Sequence, residues 1–292
     1  MPFNKYIVTF RMPFYYFLSG CFFKAYSGFL DFTRRKINKL LIPFISFFII
    51  LSYLSPCILY YVFHFDLPRL EYGSLLRSLL DCNYPNIAIW FLICLFIINI
   101  VSYMLYYLMI SFKNGYLLSI SILLCLFLLT QIDILEDKYV STAILNLPYF
   151  IGGYLFFRKT KLMHANINNK FLILASLLFF TSCIVLYNLF MPSMIGGYIC
   201  GFAGIFGILS IAKSITYIPI ISYIGRFSII VLCIHCFIIN CSIYLKNYID
   251  IHFCTVKYPV FFITLLTFTL CLCLIPIMRR YMPHITAQKN LL

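Results

Sequence analysis

The sequence predicts an all-α, polytopic integral membrane bundle, and three observations carry that reading. Hydrophobic residues make up 63% of 292 and charged residues only 10%, against roughly 25% charged in a soluble domain. The apolar residues run in continuous stretches of about 20, the length that crosses a hydrocarbon core, and do not alternate with polar residues as the strands of a membrane barrel do. The lysines and arginines behind the net charge of +14 sit in short gaps between those stretches, where a membrane protein retains them on its cytoplasmic side. A nucleic-acid binder would concentrate them on one folded polar surface. An aromatic content of 20%, with 32 Phe and 24 Tyr against one Trp, suits lipid-facing helices with interfacial tyrosines.

The length rule yields nine spans. The first, near 7–24, holds "FRMPFYYFLSGCFFK". Pro13 is expected to kink its outer end, and Ser19-Gly20 to let another helix approach closely. No small-residue cleavage site follows an early apolar core, so this span is expected to stay in the membrane. Spans near 40–63, 87–111 and 115–131 are uninterrupted. The fifth, near 142–157, contains Asn146, Pro148 and Gly152-Gly153, breakers that persist in a membrane where neighbouring helices satisfy the freed backbone. Four more lie near 171–191, 194–212, 221–245 and 258–278. In the gap 64–86, "SLLRSLL" reads as a short interfacial helix. No repeat, linker or soluble insertion divides the chain, and residues 1–292 read as one domain.

Orientation follows from the gaps. With 25–39 cytoplasmic, strict alternation leaves only six of the 22 Lys and Arg outside: Lys5, Arg69, Arg77, Lys138, Lys246 and Lys257. Arg11 counts apart, near the outer boundary, and the other 15 fall inside. The C-terminus is therefore expected in the cytoplasm and the protein in the inner (cytoplasmic) membrane. An odd number of spans then puts the N-terminus outside, and a further helix before the first span would return it to the cytoplasm.

Polar groups are expensive inside a membrane, so the few that remain are informative. No Asp or Glu falls within a span, which weighs against a carboxylate proton relay. Arg34, Arg35, Lys36 and Lys39 in "FTRRKINKLLIP" fit a positive-inside anchor, and equally a clamp for the phosphates of a nucleotide-bearing donor. His235, in "YIGRFSIIVLCIHCF", fits a buried hydrogen-bonding histidine or a base able to take and return a proton near neutral pH. Cys233 and His235 in "CIHC" point about 200° apart on a helix, so no metal is expected. The 13 cysteines lie mostly in apolar runs, Cys125, Cys183, Cys271 and Cys273 among them, as small hydrophobes. Ser19 lacks a base at helical spacing, and Trp90 sits at a span's edge, where Trp anchors.

Taken in order, "RMPFYYFLSGCFFK", "FTRRKINKLLIPF", "PNIAIWFLICLF", "LNLPYFIGGYLFF" and "YIGRFSIIVLCIHCF" resemble membrane acyltransferase family 3, in particular its fucose 4-O-acetylase-like and polysaccharide O-acetyltransferase branch. The resemblance implies a bundle of about ten spans that takes an acetyl group from acetyl-CoA, with no metal, and delivers it to a sugar hydroxyl. It makes Arg34, Arg35 and Lys39 of the basic loop candidates for the coenzyme A phosphates, with Arg226 of the "IG-x-x-S" phrase beside them, and His235 the candidate catalytic base. Arg11, where many relatives have His before "MP", and Trp90 become candidate contacts to the acceptor. Relatives usually begin with a further helix ending in a histidine, and by this resemblance the chain starts after it.

The expected function is thus a membrane O-acetyltransferase acting on a cell-surface polysaccharide or its lipid-linked precursor, with sugar and membrane lipid as partners and no nucleic acid. A polysaccharide flippase or polymerase shares the many basic, aromatic spans. An inactive, N-terminally truncated remnant is the third reading.

Overall fold

The computed structural model describes residues 4–63, 87–112, 114–131, 138–159, 167–190, 193–215, 217–252 and 257–289, and among them every regular element is helical. Helix α1 (Asn4–Cys21) is followed by a short α2 (Phe29–Lys36), which runs through a π-helix (Ile37–Leu41) into α3 (Ile42–Phe63). A 3-10 turn (Ile87–Ile89) leads into α4 (Trp90–Ser111), and α5 (Gly115–Gln131), α6 (Lys138–Lys159), α7 (Asn169–Phe190) and α8 (Met194–Ser214) follow. A second short helix, α9 (Pro219–Arg226), precedes α10 (Ser228–His252) and α11 (Pro259–Tyr281). Each expected span coincides with a long helix, and six of these, α4, α6, α7, α8, α10 and α11, are long and apolar enough to cross a membrane. The chain is a helical membrane bundle. "SLLRSLL" lies outside the described residues.

Two stretches differ from the sequence reading. The gap 25–39 is not a plain loop, because α2 and the start of the π-helix fill most of it. The span expected at 221–245 is split, with α9 ending at Arg226 and α10 beginning at Ser228. Phe227 leaves helical geometry (φ −109, ψ 27), and its N–H closes α9 on the carbonyls of Tyr223 and Ile224. Gly225 weakens the helix just before that point, yet hydropathy runs through the break unchanged.

The breaker-rich fifth span, by contrast, is one continuous helix, α6. Asn146 Nδ2 donates to the Thr142 carbonyl (2.8 Å), and the Tyr198 hydroxyl of α8 donates to the Leu145 carbonyl (2.7 Å) in the turn that Pro148 disturbs. A neighbouring helix thus adds a donor to a carbonyl of that turn, next to Ile144, whose carbonyl loses the N–H that Pro148 lacks.

The chain forms two compact units. The first comprises residues 1–29 and 97–217. Here α1 packs on α6 backbone to backbone: a Cβ at Gly20 would collide with the Phe150 carbonyl, and one at Gly153 with the Phe17 carbonyl. The close approach expected of Ser19-Gly20 is therefore present, and its partner is α6. Helix α8 offers Gly201 to the Tyr149 ring, Gly204 to Phe10 and Gly207 to Phe180, small residues receiving large ones as membrane helices pack.

The second unit comprises residues 30–96 and 218–292. Helix α10 buries Ile230, Cys233, Ile234 and Ile238, the spacing of one helix face. It packs against α11, α3 and the 3-10 turn before Trp90, while α3 contributes the buried Phe44, Phe47, Phe48 and Leu51. Leu174 and Leu178 of α7 in the first unit, and Phe261 and Leu265 of α11 in the second, are exposed. In water such surfaces would be a liability, whereas hydrocarbon solvates them.

Candidate functional site: a basic segment and an oriented histidine

The basic segment is built on α2 and the π-helix. Phe32 is fully buried and fixes which face of the helix points inward. Arg34, Arg35 and Lys39 are exposed. Arg35 Nε donates to Asp31 one turn earlier at 2.9 Å. Lys36 is half-buried with its ammonium 5.3 Å from the Phe32 ring centroid. Burial first, and the nearby charge of Lys39 second, push its pKa down to about 8. Asn38 is buried and its Nδ2 donates to the Arg34 carbonyl (3.0 Å), tying the π-turn to the helix before it. Short π segments recur at functional sites. The buried Thr33 hydroxyl has no hydrogen-bond partner among the described residues. The exposed guanidinium and ammonium groups are donors of the kind that match phosphate oxygens.

His235 is half-buried on α10, adjacent to the buried Ile234. It lies seven residues from the helix start, about 10 Å along the axis, rather than at mid-helix as the undivided span had implied. Its Nδ1 lies 3.0 Å from both the Val231 and the Leu232 carbonyl. Carbonyls only accept, so Nδ1 carries the proton and donates to both. The bare nitrogen is Nε2, which the Cys236 thiol approaches at 3.4 Å. An imidazole held by one nitrogen with a lone pair on the other is the form a general base requires. The sequence held no carboxylate to orient His235, and the helix's own carbonyls do so instead. Cys236 as the group against Nε2 was missed, because neighbours in sequence on a helix do not ordinarily face one another.

The remaining candidates separate. Arg34, Arg35, Lys39, Trp90, Arg226 and His235 belong to the second unit, and Arg11 belongs to the first. Trp90 is half-buried at the start of α4, directly after the turn that packs on α10. Arg226 is exposed at the end of α9, and Arg11 is exposed on α1. Among the described residues, the hydrogen-bond partners of His235 lie on its own helix. Among the described residues no three His, Cys, Asp or Glu side chains gather as metal ligands would.

A many-span helical bundle that carries a half-buried, oriented imidazole and a group of exposed cations is a polytopic membrane protein with side chains able to hold a proton and an anion. The chain belongs to the acyltransferase 3 family: the family's acyltransferase-domain model matches residues 1–278. It is accordingly a multi-pass membrane acyltransferase. No curated protein and no solved structure matches it.

Proposed function

We propose that the chain is an O-acetyltransferase that moves an acetyl group from acetyl-CoA to a sugar hydroxyl of a cell-surface polysaccharide or its lipid-linked precursor. The observation that supports this best is the His235 geometry, since attack by a sugar hydroxyl on a thioester requires a base with an unprotonated nitrogen, and the thiol hydrogen that Nε2 meets in Cys236 is a weak donor that an acceptor hydroxyl can replace. In the proposed step the acceptor oxygen loses its proton to Nε2 and bonds to the thioester carbon. The carbon–sulfur bond breaks, and the departing thiolate recovers the proton from the imidazolium. Arg34, Arg35 and Lys39 hold the donor phosphates as a fork-and-point-charge set, with Arg226 a further candidate. Arg11 and Trp90 are the proposed acceptor contacts. The donor is expected at the cytoplasmic face of the inner membrane, where the positive-inside count puts the basic segment.

The deciding experiment supplies labelled acetyl-CoA to membranes containing the full chain and its native glycans. Label should enter the glycan, and H235A should stop it while protein abundance is unchanged. A glycan that never takes up label, or one that is absent instead of unacetylated in a deletion strain, would favour a flippase or polymerase role and end this reading.

A further inference from the structure

Helix α9 has no evident place in a water-soluble fold. None of its eight residues is buried, and a helix so short is marginal without something to cover it. At 100° per residue, Ile220, Ile221, Tyr223 and Ile224 share one arc, while Ser222, Gly225 and Arg226 share the other. Tyr223 and Ile224 are half-buried, with the Tyr223 ring 5.1 Å from that of Phe227. Ile220 and Ile221 stay 53% and 61% exposed, and Tyr217 just ahead of the helix is 77% exposed.

Beside this apolar arc stands a group of cations. Phe227, which closes α9, is only 4% exposed, and the Arg279 guanidinium of α11 sits 5.2 Å from its ring centroid. Arg226 precedes Phe227 in the chain. Arg280 follows Arg279, its guanidinium 5.8 Å from the Tyr281 ring. Segments 215–228 and 276–292 contain no Asp or Glu, and none of the three arginines is ion-paired among the described residues. The carboxylates of Asp31 and Asp250 pair elsewhere, with Arg35 and Lys246.

We propose that α9 lies in the plane of the membrane interface and, with Arg279 and Arg280, forms a binding surface for the headgroups of anionic phospholipids. An amphipathic helix of this kind sinks its apolar arc among acyl chains, and each adjacent cation gains from the negative leaflet surface. Ring contacts hold Arg279 on Phe227, which packs on Tyr223, and Arg280 on Tyr281; such tyrosines settle at headgroup level, and a guanidinium matches a phosphate in two-point geometry. Phosphate alone would satisfy the arginines. The exposed isoleucines favour phosphate carried on a lipid, because a soluble anion leaves them in water. This surface does not depend on the acetyl-transfer reading.

The test titrates the purified full chain, in neutral detergent, with short-chain phosphatidylglycerol, using phosphatidylcholine as the uncharged lipid and inorganic pyrophosphate as the soluble anion. Binding is counted by native mass spectrometry. Phosphatidylglycerol should bind and phosphatidylcholine should not displace it. R279Q/R280Q should weaken it about fivefold per arginine, about thirtyfold together, and I220S/I221S should weaken it without changing retention of pyrophosphate. Equal affinity in the wild type and R279Q/R280Q would overturn the proposal. So would pyrophosphate competing as well as the lipid, which would mark a site for soluble phosphates. Should R279Q/R280Q fail to fold, I220S/I221S decides alone, and unchanged lipid affinity in that variant overturns the proposal. Failure of the wild-type chain to transfer acetyl groups, with lipid binding intact, would instead count against the catalytic reading only.

Discussion

His235 is held by a bifurcated hydrogen bond from Nδ1 to two carbonyls of its own helix, and this leaves Nε2 as the nitrogen without a proton, the one proposed to act as base. Replacing it with alanine is expected to lower kcat by about 100-fold or more, with the donor KM little changed, as steady-state kinetics on reconstituted protein would show. Substitution in the basic segment should do the reverse. R34Q removes an exposed charge-assisted contact and is expected to raise the acetyl-CoA KM about tenfold at nearly constant kcat.

Lys36 adds a pH signature. Burial and Lys39 favour its neutral amine, so its pKa falls to about 8 from the usual 10.5. A bound phosphate favours the ammonium, so above that value binding must bring a proton with it. The donor KM should therefore rise as pH climbs through about 8, and K36R, which keeps its charge, should flatten that limb. A KM independent of pH in the wild type would remove Lys36 from the site.

At the scale of elements, the contact between α1 and α6 is the least forgiving. Gly20 and Gly153 each face a carbonyl of the opposite helix, and backbone cannot swing aside as a flexible side chain can. G153A is expected to destabilise the protein by about 1–3 kcal/mol or more, read as a lowered unfolding temperature in detergent. G28A, at a glycine with open space around it, should be tolerated. The small residue Gly20 was legible in the sequence as a packing site, but its partner was not, because the pairing of helices far apart in sequence is settled by surface shape. The break between α9 and α10 was equally illegible, since "IGRFS" sits within an apolar run and only the cap at Phe227 turns it into two helices. Helix α6 shows the opposite case: Pro148 and Gly152-Gly153 read as breakers, yet the helix runs on unbroken, with the Tyr198 hydroxyl donating from α8 to the Leu145 carbonyl in the turn before the proline.

For the whole molecule, the charge count makes a prediction independent of any chemistry. Reporter domains fused after residue 292 and within 25–28 should both report the cytoplasm, and one fused within 253–256 should report the opposite face. A C-terminal reporter on the far side would invert the topology and remove the basic segment from the compartment that holds acetyl-CoA.

The sequence by itself determined that this chain is a helical membrane protein, roughly where the long helices of the described residues run and which residues are polar where polarity is costly. Those properties are additive along the chain: hydrocarbon thickness sets span length, and each gap contributes its charge to orientation. Together with five ordered phrases they were enough to reach the acyltransferase 3 family. Only the tertiary structure decided that Nδ1 of His235 is tied to its own helix while Nε2 faces Cys236, that α2 and a π-turn present Arg34, Arg35 and Lys39, that α1 and α6 meet at paired glycines, and that α9 is a separate helix with Ile220 and Ile221 exposed. Each of these depends on which atom lies within a few ångströms of which other. Hydropathy and spacing average over such distances, and hydrogen bonds and van der Waals contacts resolve them.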